Sequence, residues 1–212
     1  MSSKSIRNII FDLGGVILNI DPQLTIDAFR KLGWNNFYEG QNQSLNKELF
    51  FNLEKGNSSP GEFRDNVRQM IKCQIDDIDI DKAWTAMILD IPEERIRYLE
   101  ELKMSYRIFL LSNTNEIHRK KFHKDFEEVY GYSFYDLFER NFYSHEMGMR
   151  KPDPRIFIQT MKEAGLVAGQ TLYIDDMEEN IKAAKIQGMK VLHIQTETLL
   201  EYLPPFLEDN NG

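Results

Sequence analysis

Five short apolar runs, at residues 6–11, 106–111, 141–143, 171–174 and 190–194, are separated by stretches of helical periodicity, and this alternation constrains the fold more than any other feature of the chain. Runs of this length read as strands. Between them, residues 92–104 place Ile96, Leu99 and Leu102 on one helical face, and residues 154–164 do the same with Phe157, Met161 and Ala164 before Gly165 stops the pattern. Parallel strands need crossover connections, and a crossing helix covers one face of the sheet. The expected fold class is therefore α/β, a Rossmann-like parallel sheet with helices on both faces.

The alternation breaks at residues 21–91, about seventy residues with several amphipathic segments and no convincing strand, a length that needs structure of its own. We expect an inserted α-helical cap domain there, with the Rossmann-like core made of residues 1–20 and 92–212. Helix-start chemistry marks both junctions: Asp21 then Pro22, and Asp90 followed by Pro92. Trp34, Phe50, Phe51 and Trp84 supply a core for the insertion, and some of them are candidates to line a pocket. The spacing of Phe122, Phe126 and Tyr130 predicts a core-facing helix rather than a base-stacking surface. The proline-led tail, residues 204–212, is expected to fray.

Charge and cysteine content narrow the partners. A formal charge of -8 repels phosphate backbones and anionic lipid, which argues against nucleic acid and membrane surfaces. Asp12 interrupts the N-terminal apolar run before it reaches signal-peptide length, and no stretch approaches the ~18 apolar residues of a spanning helix. The single cysteine, Cys73, can build neither an internal disulfide nor a thiolate metal site. A soluble, cytoplasmic protein is the expectation, and the sequence carries no signal of oligomeric state.

Ligands of open parallel sheets sit beyond the carboxyl ends of the strands. There the first run leads into Asp12, Gly14 and Gly15, the second into Ser112 and Asn113, the third into a loop with Lys151 and Asp153, and the fourth into Asp175 and Asp176. Each has a structural reading when taken alone: a turn at Asp12, a helix cap at Ser112 or Asp153, a surface cation at Lys151, and carboxylates at a helix start. Asp153, just before Pro154, we read as a cap. Taken together, three carboxylates at one sheet edge raise one another's pKa values unless a cation balances them. Magnesium, an oxygen-seeking ion held by a few carboxylates, water and phosphate, is the natural counter-charge and needs no cysteine or histidine. A phosphoryl group would then find the metal, Lys151, the Ser112 hydroxyl and backbone N–H groups.

The order of these motifs, with a helical insertion between the first and second, resembles the haloacid dehalogenase superfamily, mostly magnesium-dependent phosphatases and phosphotransferases, over essentially the whole chain. Residues 111–115, 148–153 and 174–181 are most similar to its sugar-phosphate branch, the glucose-1-phosphate phosphatases and the phosphatase domain of soluble epoxide hydrolases. The resemblance implies that Asp12 is the nucleophile that forms an aspartyl-phosphate and also a magnesium ligand. It implies that Ser112 and Asn113 contact the phosphoryl oxygens and that Lys151 neutralises charge between nucleophile and phosphate. Asp176 would bind magnesium, Asp175 would be a ligand or supporting acid, and the backbone carbonyl of Gly14 would complete the protein ligands. The substrate class it implies is a small phosphorylated metabolite, such as a sugar phosphate.

This chain departs from the family pattern at Gly14, where most of the phosphatases carry a second aspartate as general acid and base. His145 and Glu146, just ahead of Lys151, are the nearest candidates to replace it. The other histidines, His118, His123 and His193, have no metal-binding spacing and read as structural. A catalytically weak phospholigand-binding protein is the alternative that Gly14 raises. A signalling receiver domain, whose acid pair follows the first strand, and a metal-free dehalogenase fit the sequence less well.

Overall fold

The computed structural model of the chain describes residues 5–35, 43–194 and 199–211. The strands are β1 (Asn8–Phe11), β2 (Arg107–Ser112), β3 (Arg140–Tyr143), β4 (Thr171–Asp175) and β5 (Lys190–His193), all parallel, in the spatial order β3-β2-β1-β4-β5. Every expected strand is present, with ends shifted by at most two residues. Between β1 and β2 lie α1 (Pro22–Lys31), α2 (Gln43–Glu54), α3 (Pro60–Ile71), α4 (Asp77–Thr85) and α5 (Glu93–Leu102). Helix α6 (Glu116–Tyr130) joins β2 to β3, α7 (Ser144–Met147) and α8 (Pro154–Ala164) join β3 to β4, α9 (Glu178–Ile186) joins β4 to β5, and α10 (Leu199–Asn211) follows.

The two-residue period of the strands divides the core. Ile9, Phe11, Ile108, Leu110, Leu172 and Ile174 pack on one side of the sheet with α5, α6 and α10, whereas Ile10, Phe109, Leu111 and Tyr173 pack on the other with α8 and α9. Each such side chain, fully buried, contributes about 1.5–3 kcal/mol, which fixes register: a one-residue slip would exchange the two cores. Phe11 pairs with both Leu110 and Ile174, so Asp12 leaves β1 level with Asp175 at the end of β4, and Ser112 ends β2 one residue further along.

Helices α1 to α4 build a separate cluster around Phe29, Trp34, Phe63, Val67, Ile80 and Trp84, to which Ile117 of α6 adds the sheet's side. The chain enters this insertion and returns along a short antiparallel neck: the Asn19 N–H donates to Asp90 O at 2.9 Å, Leu89 N–H to Asn19 O at 3.0 Å and Asp21 N–H to Met87 O at 2.9 Å. Asp21 caps α1 with Pro22 in its first turn, whereas at the return Pro92 itself is the N-cap of α5. Asp153 caps α8, accepting from the Arg155 N–H at 2.9 Å.

The tail departs from expectation. Through Asn211 it is helical, with Pro204 and Pro205 inside α10, because Leu199, Leu203 and Leu207 recur every fourth residue and are buried against the sheet. Their burial outweighs the hydrogen bonds the prolines forgo. Among the described residues, no helix is long and apolar enough to cross a membrane.

Candidate active site

Lys151 is the centre of the site. Its Nζ lies 2.7 Å from Asp12 Oδ1 and 2.8 Å from Asp175 Oδ2, and the side chain is 1% exposed. A lysine this deep is stable only as half of an ion pair. Burial works against its charge, yet the two carboxylates raise its pKa above the ordinary lysine value. The surface-cation reading of Lys151 is thereby excluded. Asn113 places the residue: its Nδ2 donates to Lys151 O at 3.0 Å, and its Oδ1 accepts from the Lys151 N–H at 2.8 Å. Asn113 also lines the cavity, where its backbone N–H and the second hydrogen of Nδ2 are the donors not committed to Lys151.

The two aspartates that grip Lys151 differ in character. Asp175 is fully buried and surrounded by donors: Oδ1 accepts from the Met177 N–H at 2.8 Å and from Asn180 Nδ2 at 3.0 Å, and Oδ2 from Lys151 and the Tyr173 hydroxyl. Burial opposes its charge, but the Lys151 ammonium and these hydrogen bonds hold its carboxyl below the usual range. Burial instead pushes Asp12 up to about 7, against the pull of Lys151 and with the added repulsion of Asp175 and Asp176. Asp176 is raised as well, by burial and then by Asp175. It can stand this close to the first loop because Gly15 has φ +77° and no side chain; a Cβ there would lie 2.5 Å from Asp176 Oδ2.

Carboxylate oxygens of Asp12, Asp175 and Asp176 all lie within 4.8 Å of one another, against the single ammonium of Lys151. The donor set is all oxygen, and burial, with repulsion between the carboxylates added to it, raises Asp12 and Asp176 above the usual carboxylate range. This is the chemistry of a hard divalent cation, and magnesium fits it. Asp175 accepts from protein donors on both oxygens, Lys151 among them, while one of its oxygens stands with those of Asp12 and Asp176 in the cluster that could hold the metal.

These residues open into a cavity of about 450 Å³, lined on the sheet side by Asp12, Gly14, Ser112, Asn113, Lys151 and Asp176. The insertion supplies the opposite wall, with Phe50, Phe51, Glu54 and Trp84. Ser112 is buried at the end of β2 and lines the cavity, so it is not a helix cap; Asn115 caps α6 instead, accepting from the N–H groups of Ile117 and His118 at 3.1 Å. Trp84 joins the two walls. Its ring stacks on Phe50 at 4.9 Å and on His118 at 4.7 Å, and its Nε1–H donates to Asn115 Oδ1 at 3.3 Å. His118 donates from Nε2 to Trp84 O at 3.0 Å, and burial lowers its pKa to about 4, which makes it a neutral ring.

His145 and Glu146 do not belong to this constellation. Neither lines the cavity; His145 Nδ1 lies 3.1 Å from Thr114 O, and Glu146 faces Arg119 at 3.8 Å. Both sit on α7, the short helix that follows β3. Among the residues not flagged by the sequence that do line it are Glu54 and Arg150, paired at 2.8 Å between the insertion and the core.

A family model described as haloacid dehalogenase-like hydrolase matches residues 9–194. The chain belongs to this family. Among haloacid dehalogenase-like hydrolases, it is 29% identical over 185 residues to the D-ribitol-5-phosphate phosphatase of Bacteroides thetaiotaomicron, a match covering 87% of this chain and 90% of that one. It is also similar to the HAD family enzyme BT-2542 of the same bacterium, with a TM-score of 0.90 and 35% identity over 95% of this chain and 98% of the other. A second crystal structure of BT-2542, a complex with magnesium and inorganic phosphate, matches with a TM-score of 0.86 and 35% identity over 94% and 99% of the two chains.

Proposed function

We propose that this hydrolase is a magnesium-dependent phosphatase that cleaves the phosphomonoester of a small metabolite, a sugar or polyol phosphate, through an aspartyl-phosphate on Asp12. The observation that carries the reading is the buried Asp12–Lys151–Asp175 triad beside Asp176 at the mouth of the sheet. Its companions among known proteins agree: one relative is a ribitol-phosphate phosphatase, and one structural neighbour holds magnesium and phosphate.

Asp12 attacks phosphorus with a carboxylate oxygen, and Lys151, 2.7 Å from that carboxylate, offsets the charge of nucleophile and phosphoryl group as they approach. Asp175 keeps Lys151 charged and in place. The Ser112 hydroxyl and the backbone N–H of Asn113 bind phosphoryl oxygens. Magnesium held by Asp12, Asp176 and the Gly14 carbonyl would draw charge from the phosphoryl oxygens. The helical insertion serves as a cap: its aromatic residues exclude water and give the carbon skeleton of the substrate an apolar surface, while His118 offers Nδ1 to a hydroxyl group. A cavity of about 450 Å³ suits a ligand of that size.

The test is phosphate release from a panel of phosphorylated metabolites with and without magnesium, with Asp12→Asn as control. The wild type releases phosphate only with the metal, and the folded variant releases none, since an amide cannot attack phosphorus. Wild-type rates in Asp12→Asn would end the covalent mechanism.

A further inference from the structure

We propose that Glu54, delivered from the insertion, is the general acid and base of this active site, in place of a carboxylate at residue 14. The proposal rests on the phosphatase reading above and concerns the proton that reading leaves unassigned. Glycine at 14 has no proton to give, and the space ahead of it is apolar: a Cβ on Gly14 would meet Ile20 Cδ1 at 3.3 Å and Cγ2 at 3.5 Å.

Among the described residues, the cavity wall leaves one candidate. Asp12 and Asp176 are the nucleophile and the metal carboxylate, and Lys151 and Arg150 are permanent cations in ion pairs. The proton of the neutral His118 ring is committed to Trp84 O. Lys47 and Glu179 line the cavity from its exposed rim. Among the remaining described residues of the lining, Glu54 alone is an acid held away from solvent, its side chain 21% exposed, on the wall that the insertion supplies. Arg150 fixes it, donating Nε–H to Oε2 at 2.8 Å while its guanidinium lies 3.9 Å over the Phe51 ring. Burial raises the Glu54 pKa despite the opposing charges of Arg150 and Lys151, which is the direction an acid working near neutrality needs.

The steps balance. As Asp12 Oδ bonds to phosphorus and the ester P–O bond breaks, Glu54 gives its proton to the departing oxygen, releasing an alcohol. Water then attacks phosphorus, its proton passes to the Glu54 carboxylate, the Asp12–phosphorus bond breaks, and phosphate leaves with Glu54 protonated again.

The experiment compares wild type and Glu54→Gln on para-nitrophenyl, phenyl and benzyl phosphate, three esters of similar shape whose leaving groups differ in acidity. The wild type turns over all three at similar rates. The variant loses about a hundredfold or more on benzyl phosphate. With para-nitrophenyl phosphate it gives a burst of one nitrophenolate per chain and then slow turnover, because only the second step still needs a base. The alkaline limb of its kcat/KM profile on benzyl phosphate disappears. An equal loss on the three esters with the limb unmoved would overturn the assignment and make Glu54 a clamp for Arg150. A steep leaving-group dependence in the wild type would overturn it without any variant. A wild type inactive on every ester with magnesium would overturn the phosphatase reading, and this assignment with it.

Discussion

The amide of Asn113 holds both polar atoms of the Lys151 main chain, one bond of 3.0 Å and one of 2.8 Å. The first loop residue after β2 thus sets the height of the ammonium that serves Asp12. Asn113→Ala removes two hydrogen bonds of ~1 kcal/mol each and leaves Lys151 free to shift. Activity should fall at least tenfold, while the melting temperature drops by only a few degrees. Retained activity would show that the ion pairs alone position Lys151.

Lys151→Ala leaves Asp12 and Asp175 buried with no cation, and a broken buried pair costs about 3–5 kcal/mol. Lys151→Arg keeps the charge and should lose less activity than alanine. Adding Asp175→Asn to Lys151→Ala should recover part of the stability, measured by urea unfolding as a double-mutant cycle. Additive losses would mean that the two residues do not interact.

Gly15→Ala strains a backbone at φ +77° and drives a methyl group toward Asp176 Oδ2. The magnesium concentration for half-maximal activity should rise about tenfold, the analogue of losing support for a metal ligand. An unchanged magnesium requirement would place Asp176 outside the metal site.

Gly14 has no left-handed φ, so an aspartate is hindered there mainly by Ile20. The triple variant Gly14→Asp, Ile20→Val, Glu54→Gln, in which the Cδ1 methyl is gone, should regain about tenfold or more of the benzyl phosphate activity lost in Glu54→Gln. No gain from a folded triple variant would show that a carboxylate on that loop cannot reach the leaving oxygen.

Acid should weaken the fold through His118. Its folded pKa, about 4, lies below the ordinary histidine value of 6.5, so between those values the unfolded chain binds the proton more readily. Stability is therefore complete above the upper value and is lost as pH falls through the window, by up to about 3 kcal/mol for this one ring. His123, also lowered to about 4 by burial, adds to the slope. Urea midpoints between pH 7 and 4 check this; a flat profile would contradict the buried neutral rings.

Much of the fold was legible because β-period and helix-period patterns are local, and the residues that follow the strands, with the loop after the third, brought Asp12, Ser112, Lys151 and Asp175 into one list. Function at the far wall was not. Glu54 and Arg150 are separated by 96 positions, and no local pattern says that the end of α2 docks beside the loop before Lys151. The bonds from Asn113 to Lys151 were not legible either, because they exist only once two loops meet. The tail misled for the opposite reason: the Leu199, Leu203, Leu207 repeat was present, but two adjacent prolines are the stronger local signal.

The stack of Phe50, Trp84 and His118 also has an optical consequence. The chain has two tryptophans, and Trp34 is packed inside the insertion against Phe29. Trp84 spans the seam: any movement that carries α4 away from α6 must unstack its indole from His118, break its bond to Asn115 and let water reach it. Its emission is then a built-in gauge of how far the cavity stands open, readable during turnover without a label.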